Sequence, residues 1–155
     1  MSKQTSSHET AREDVLMPVH RALRQLTEAA QTARDRAAKS QGLHPTDFAC
    51  IGYLYGIGKP VSPKQISEHL NLSSGSGTAL LDRLESAGYT RRLPNPEDRR
   101  SLLIELDLDG AESPIRRIKE LELIYREVME QFSDSEIVIA TRFIEAIAAF
   151  ANKLT

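Results

Sequence analysis

A chain of 155 residues is long enough to bury one real core and short enough to be a single domain. Its formal net charge of −2, taken whole, argues against binding a polyanion; one cysteine excludes an internal disulfide framework and fits a reducing cytoplasm, and no apolar run approaches a membrane span. The acid excess is local, with 6 Lys+Arg against 10 Asp+Glu in residues 107–155 but 7 against 7 in 46–106, so the middle of the chain can carry a positive field of its own.

Residues 1–12 are polar, lack the apolar stretch of a secretory signal and are expected to fray. Leu16, Val19, Leu23, Leu26, Ala30, Ala33 and Ala37 then recur at threes and fours, which predicts a long helix within 13–41 ending before Gly42. Pro45 suits the first position of a short helix carrying Phe48, Ile51, Tyr53 and Leu54 and closing near Gly56 and Gly58. Ser62, Pro63 and Gln65 spell a capping box for a third helix, with Ile66 and Leu70 on one face. Asn71 tolerates a left-handed turn, Ser73 or Ser74 caps the next helix, and Leu80, Leu81 and Leu84 lead to a stop at Gly88.

Two short helices joined by a tight turn make a helix-turn-helix, whose second member lies in the DNA major groove. The start of that helix offers Ser74, Gly75, Ser76, Gly77 and Thr78, small enough to let the backbone approach a duplex, with hydroxyls for phosphates or base edges. A nucleotide-binding loop is excluded, because Gly75-x-Gly77 has no third glycine, no following Gly-Lys-Ser/Thr and no preceding buried strand. Tyr89–Leu93 and Ser101–Leu106 read as a hairpin, Leu102, Ile104 and Leu106 sharing one face and Asn95, Pro96, Glu97 and Asp98 supplying the turn. Arg91, Arg92, Arg99 and Arg100 cluster on it, suited to a minor groove and to phosphates, and Asp98 can pair with a neighbouring guanidinium.

After the hairpin, Ile115, Ile118, Leu121, Ile124, Tyr125, Val128 and Phe132 continue a helical stripe, with Pro114 either in a first turn or kinking a helix begun at Asp107. Ser133 and Glu136 form another capping box ahead of Val138, Phe143, Ile144, Ile147, Phe150 and Leu154. Long stripes at both ends of a small central unit call for a second copy to cover them, although a bundle within one chain would serve as well.

The run Leu80-Leu81-Asp82-Arg83-Leu84-Glu85-Ser86-Ala87-Gly88-Tyr89-Thr90-Arg91-Arg92 with Asp98-Arg99-Arg100 resembles the winged helix-turn-helix of the MarR family of transcription regulators. The likeness runs from about Val15 onward. It implies a mainly α fold with a small β-hairpin wing: one domain over 1–155, a DNA unit at 46–106, and dimerisation helices at 13–41 and 112–154. It also implies a homodimer on a near-palindromic operator, acting as a repressor that a small aromatic ligand relieves. By the resemblance, Ser73, Ser74, Ser76, Thr78 and Arg83 meet the major groove or its phosphates, and Arg91, Arg92, Asp98, Arg99 and Arg100 serve the wing. The chain departs from the family where Gly77 and Ala79 replace larger polar residues, and where Leu106-Asp107-Leu108-Asp109-Gly110 replaces the usual Leu-Thr-x-x-Gly.

An effector pocket is expected around Phe48, Tyr53, Tyr55 and His20. Cys50 reads as a small buried hydrophobe, since redox-sensing members carry their cysteine near the start of the first helix. The histidines show no metal spacing, no cofactor motif is legible, and no nucleophile–base set suggests an enzyme. The rival reading is a dimeric ligand- or protein-binding module that keeps this fold without binding DNA.

Overall fold

The computed structural model describes residues 3–98, 100–151 and 153; the expected wing residue Arg99 and stripe residue Leu154 lie outside them. These residues form helices α1 (Lys3–Ser40), α2 (Pro45–Ile57), α3 (Pro63–His69) and α4 (Ser74–Ser86), a hairpin of β1 (Thr90–Pro94) and β2 (Leu102–Leu106), and helices α5 (Glu112–Met129) and α6 (Asp134–Ala151). The backbone of α1 is helical from Lys3, through most of the segment expected to fray. The chain separates into two compact units, Met1–Ile115 and Arg116–Thr155.

Local chemistry sets the boundaries in the first unit. His44 caps α2 by accepting the Thr46 N–H at its Nδ1 (3.3 Å), and Gly58, at φ 65°, ends it by donating to the Leu54 carbonyl (3.0 Å). The Ser62 box is complete: the Gln65 N–H donates to Ser62 Oγ (3.3 Å) and the Ser62 N–H to Gln65 Oε1 (2.9 Å). Asn71 adopts φ 51° in the turn, and Ser73 caps α4 through the Ser76 N–H (3.2 Å). The strands pair antiparallel with Thr90 opposite Leu106 and Arg92 opposite Ile104. Strand β2 begins one residue later than expected because the Ser101 N–H and hydroxyl both donate to the Asp98 carbonyl in the turn (3.0 and 3.1 Å). Val61, just ahead of α3, exchanges two backbone bonds with Ile104 (3.0 and 2.7 Å) and so ties the hairpin to the helix-turn-helix.

The core lies where these elements meet. Ile51 and Leu54 of α2, Ile66 of α3, Leu80 and Leu84 of α4 and Ile104 of β2 are all but inaccessible to solvent, each stabilising the fold by about 1.5–3 kcal/mol. Leu102, expected on the same face as Ile104 and Leu106, is 46% exposed because it stands near the free end of the hairpin. Gly77 faces inward, and a Cβ there would lie 2.2 Å from Ser67 Oγ. Its small size therefore serves the approach of α4 to α3 rather than the approach of DNA.

Asp107 accepts the N–H groups of Asp109 and Gly110 (3.2 and 3.1 Å), so α5 begins at Glu112 with Pro114 in its first turn. In the second unit Glu136 accepts both the N–H (2.9 Å) and the hydroxyl (2.6 Å) of Ser133 ahead of α6. These bonds hold its carboxyl below the ordinary value. None of the described side chains of α6 is buried.

Gly110 is the tightest backbone approach. A Cβ there would meet the Gly88 carbonyl oxygen at 2.0 Å, and backbone cannot step aside as a side-chain tip can. Gly110→Ala is expected to lower stability by about 2 kcal/mol or more, measured by urea unfolding; a variant as stable as the parent would contradict this contact.

Candidate nucleic-acid interface

The first turns of α4 present a flat outward face. Ser74, Gly75, Ser76, Thr78 and Ala79 are exposed, and a Cβ at Gly75 would meet nothing within 4 Å. Thr78 donates its hydroxyl back to the Ser74 carbonyl (2.9 Å), while the Ser73 hydroxyl donates to Ser76 Oγ (3.0 Å) besides capping the helix. Ser73, expected among the DNA contacts, is thus already engaged in holding the start of α4. An open groove between α3 and α4, lined by Lys64, Ser67, Asn71 and Thr78 among others, runs beside this face.

The hairpin follows α4 directly, and its tip is shaped by side chains bonding to nearby backbone. Asn95 Oδ1 accepts the Glu97 N–H (3.0 Å) and its amide donates to Ser101 Oγ (2.9 Å). Asp98 Oδ1 accepts the Arg100 N–H (2.9 Å). Asp98 thereby forms an Asx turn, a role that the sequence reading did not give it. The Arg100 side chain is exposed and, among the described residues, has no ionic partner.

Arg83, Arg91 and Arg92 are each paired. Arg83 grips Asp47 with two prongs, Nη2 to Oδ1 at 2.7 Å and Nε to Oδ2 at 3.4 Å, which raises its already high pKa. Arg91 lies directly across from Glu105 and pairs with it (3.1 Å) and with Asp107 (3.5 Å). Arg92 reaches back to α4, bonding Asp82 (2.5 Å) and Glu85, and its pKa is raised chiefly by the Asp82 bond. The structure thus brings Asp47 to Arg83, Glu105 and Asp107 to Arg91, and Asp82 and Glu85 to Arg92. The Arg91–Glu105 pair could have been read from strand register. The Asp47–Arg83 pair joins residues 36 positions apart and left no local signal.

The expected effector residues are not gathered. Phe48 is buried in the core, His20 is exposed on α1, and Tyr53 stacks on His69 with ring centroids 3.8 Å apart. Tyr55 alone of the four lines a cavity of about 280 Å³, with Lys59, Pro60, Leu106 and Leu108 among its walls. Cys50 is fully buried, and burial, with Asp47 nearby, pushes its thiol up to about 12, which keeps it protonated and unreactive at neutral pH. Among the described residues no group of three or more His, Cys, Asp or Glu is placed to hold a metal ion.

A capped helix pair with a β-hairpin fastened to its second helix is a winged helix-turn-helix, a class built to read nucleic acid. A sequence profile of the MarR family matches residues 41–101. The HTH-type transcriptional regulator YcgE of Bacillus subtilis is 32% identical over 109 residues, covering 70% of this chain and 70% of that one. Two solved structures show the same fold: NadR in complex with 4-hydroxyphenylacetate (TM-score 0.68, 20% identity, 84% of this chain and 92% of that one) and a mutant MarR from Escherichia coli complexed with operator DNA (TM-score 0.60, 19% identity, 86% and 96%). The chain belongs to the MarR family and is a transcription regulator of that family.

The Asp47–Arg83 pair is asymmetric, the Asp47 side chain being 10% exposed and that of Arg83 52%. Arg83→Ala leaves a buried anion without its partner, whereas Asp47→Asn keeps the size and an acceptor. Arg83→Ala is expected to destabilise more than Asp47→Asn, and the double variant less than the sum of both. Denaturant unfolding of the three checks this; an Arg83→Ala protein as stable as the parent would dismiss the pair as ornamental.

Proposed function

We propose that the chain binds duplex DNA sequence-specifically, as a homodimer on a near-palindromic operator, and represses transcription from it in the cytoplasm. The observation that carries this reading is the juxtaposition of the small, exposed face of α4 with a wing whose Arg100 has no ionic partner among the described residues. The operator complex of the E. coli relative supports it. Ser74, Ser76 and Thr78, all exposed on the first turns of α4, address the major groove. Arg100, with Arg99 beside it in sequence, addresses the minor groove or the phosphates.

The test is affinity for duplexes selected from a random pool, measured across salt. Arg100→Ala is expected to weaken binding to every sequence and to flatten the log–log salt slope by about one unit for each phosphate that a subunit ceases to neutralise. Thr78→Ala should instead change the preference among operator variants by about 1 kcal/mol at nearly constant slope. Failure of the parent protein to select any sequence would favour the module that keeps this fold without binding DNA.

The dimer rests on apolar surface. Phe132, Val138, Phe143, Ile144 and Phe150 in the second unit, and Leu16, Met17 and Leu26 on α1, are all 45% or more exposed in the single chain, far more than a monomer leaves in contact with water. Sedimentation at micromolar concentration is expected to show twice the 17.3 kDa chain mass. A species of single mass would overturn the assembly.

Effector control rests on the cavity beside Tyr55, where the Lys59 ammonium can meet a carboxylate and Pro60, Leu106 and Leu108 a ring. NadR with its bound hydroxyphenylacetate supports this choice of ligand chemistry. Adding 4-hydroxyphenylacetate is expected to raise the melting temperature and weaken DNA binding, and Lys59→Ala to abolish both effects. If neither quantity moves in the parent protein, regulation by this ligand class is excluded.

A further inference from the structure

We propose that Arg92 is a positioning residue and not a DNA contact: it straps the wing to α4, so that the outward face of α4 and Arg100 meet the duplex as one rigid surface. The proposal rests on the DNA-binding reading above.

Arg92 stands in the middle of β1, opposite Ile104, which is buried and doubly bonded to Val61. Its backbone is therefore anchored in the sheet while its side chain crosses to α4. There Nη2 meets Asp82 and Nη1 meets Glu85. The two carboxylates are three residues apart, on one face of the helix at successive turns, and the planar fork of a guanidinium spans them. An ammonium at the same place is a point charge with no fixed fork, so it would hold the two carboxylates less rigidly. Arg91, pointing to the other side of the ribbon, is paired within the hairpin and bonds neither of these α4 acids.

Two further facts make the strap consequential. A two-stranded ribbon of five residues a side is marginal by itself and takes its orientation from what it rests on. Asp82 and Glu85 would repel a duplex lying along α4, and Arg92 offsets half of that charge where it arises. The chemistry that would otherwise weaken the interface is turned to fixing its angle.

A phosphate-contacting arginine and a strapping arginine respond oppositely to the same substitutions. In the full-length protein, affinity for the selected duplex is measured across salt for Arg92→Lys, Arg92→Gln and Asp82→Asn/Glu85→Gln, each with and without Arg100→Ala. Arg92→Lys is expected to weaken binding about tenfold with the salt slope unchanged. Asp82→Asn/Glu85→Gln should also weaken it, although it removes negative charge from the DNA side. The effect of Arg100→Ala, about tenfold in the parent, should shrink to about threefold or less in either strap variant. Tighter binding by Asp82→Asn/Glu85→Gln, parental binding by Arg92→Lys, or an undiminished Arg100→Ala effect would each overturn the proposal.

A readout without DNA separates this from the function itself. Amide exchange in β1 and β2 should quicken in Arg92→Gln and in Asp82→Asn/Glu85→Gln while that of α4 holds. Unchanged exchange in the hairpin refutes the strap. A parent protein that binds no duplex refutes the DNA reading alone and leaves the exchange result to judge the strap.

Discussion

The seat of α4 depends on one buried carboxylate. Asp47 lies in the first turn of α2, where the helix dipole favours an anion, and it is 7% exposed. Such a group needs a partner in the interior, and Arg83 of α4 supplies a two-pronged one. The pair fixes the rotation of α4 about its axis: with Arg83 turned to α2 and Leu80 and Leu84 in the core, Ser74 and Thr78 are left on the outward side. Gly77 completes the seating by letting α3 approach where a side chain would collide with Ser67. The exposed face proposed to read DNA is the complement of the face these contacts bury.

The same economy governs charge. A ribbon whose arginines cluster in sequence is far less basic as folded, because Arg91 and Arg92 each face two carboxylates, Glu105 and Asp107 for the one and Asp82 and Glu85 for the other. Long-range attraction of a polyanion is accordingly modest in this unit, and affinity has to come from close fit of a rigid surface together with the cations left unpaired. This ties function to stability more closely than in a protein that binds through loose lysines.

The local elements were legible because their signals are local. The Ser62–Gln65 box, Pro45 and Gly58 around α2, Asn71 in its left-handed turn and Gly88 after α4 all act within four residues, and the fold follows them. The site was legible in part. The outward serines and Thr78 stand where helical periodicity put them, but the partners of Arg83 and Arg92 depend on how α2, α4 and the hairpin pack together, which no spacing reveals. The surroundings of Phe48, buried in the core, and Tyr53, stacked on His69, were hidden for the same reason: an aromatic in a helix is equally suited to core, stack and cavity wall until its neighbours are known. Asp98 shows a subtler limit, since its bond to the Arg100 main-chain N–H was not foreseen beside the arginines.

The central claim is that two copies of this seated helix and strapped wing read one duplex. Hydroxyl-radical footprinting of the full-length protein on a duplex selected from a random pool tests it most directly. The expected pattern is two symmetric protected half-sites about one helical turn apart, or a multiple of it, each with a major-groove centre and a flanking minor-groove contact. A single unpaired protected stretch, or no protection at concentrations where the protein is dimeric, would contradict it.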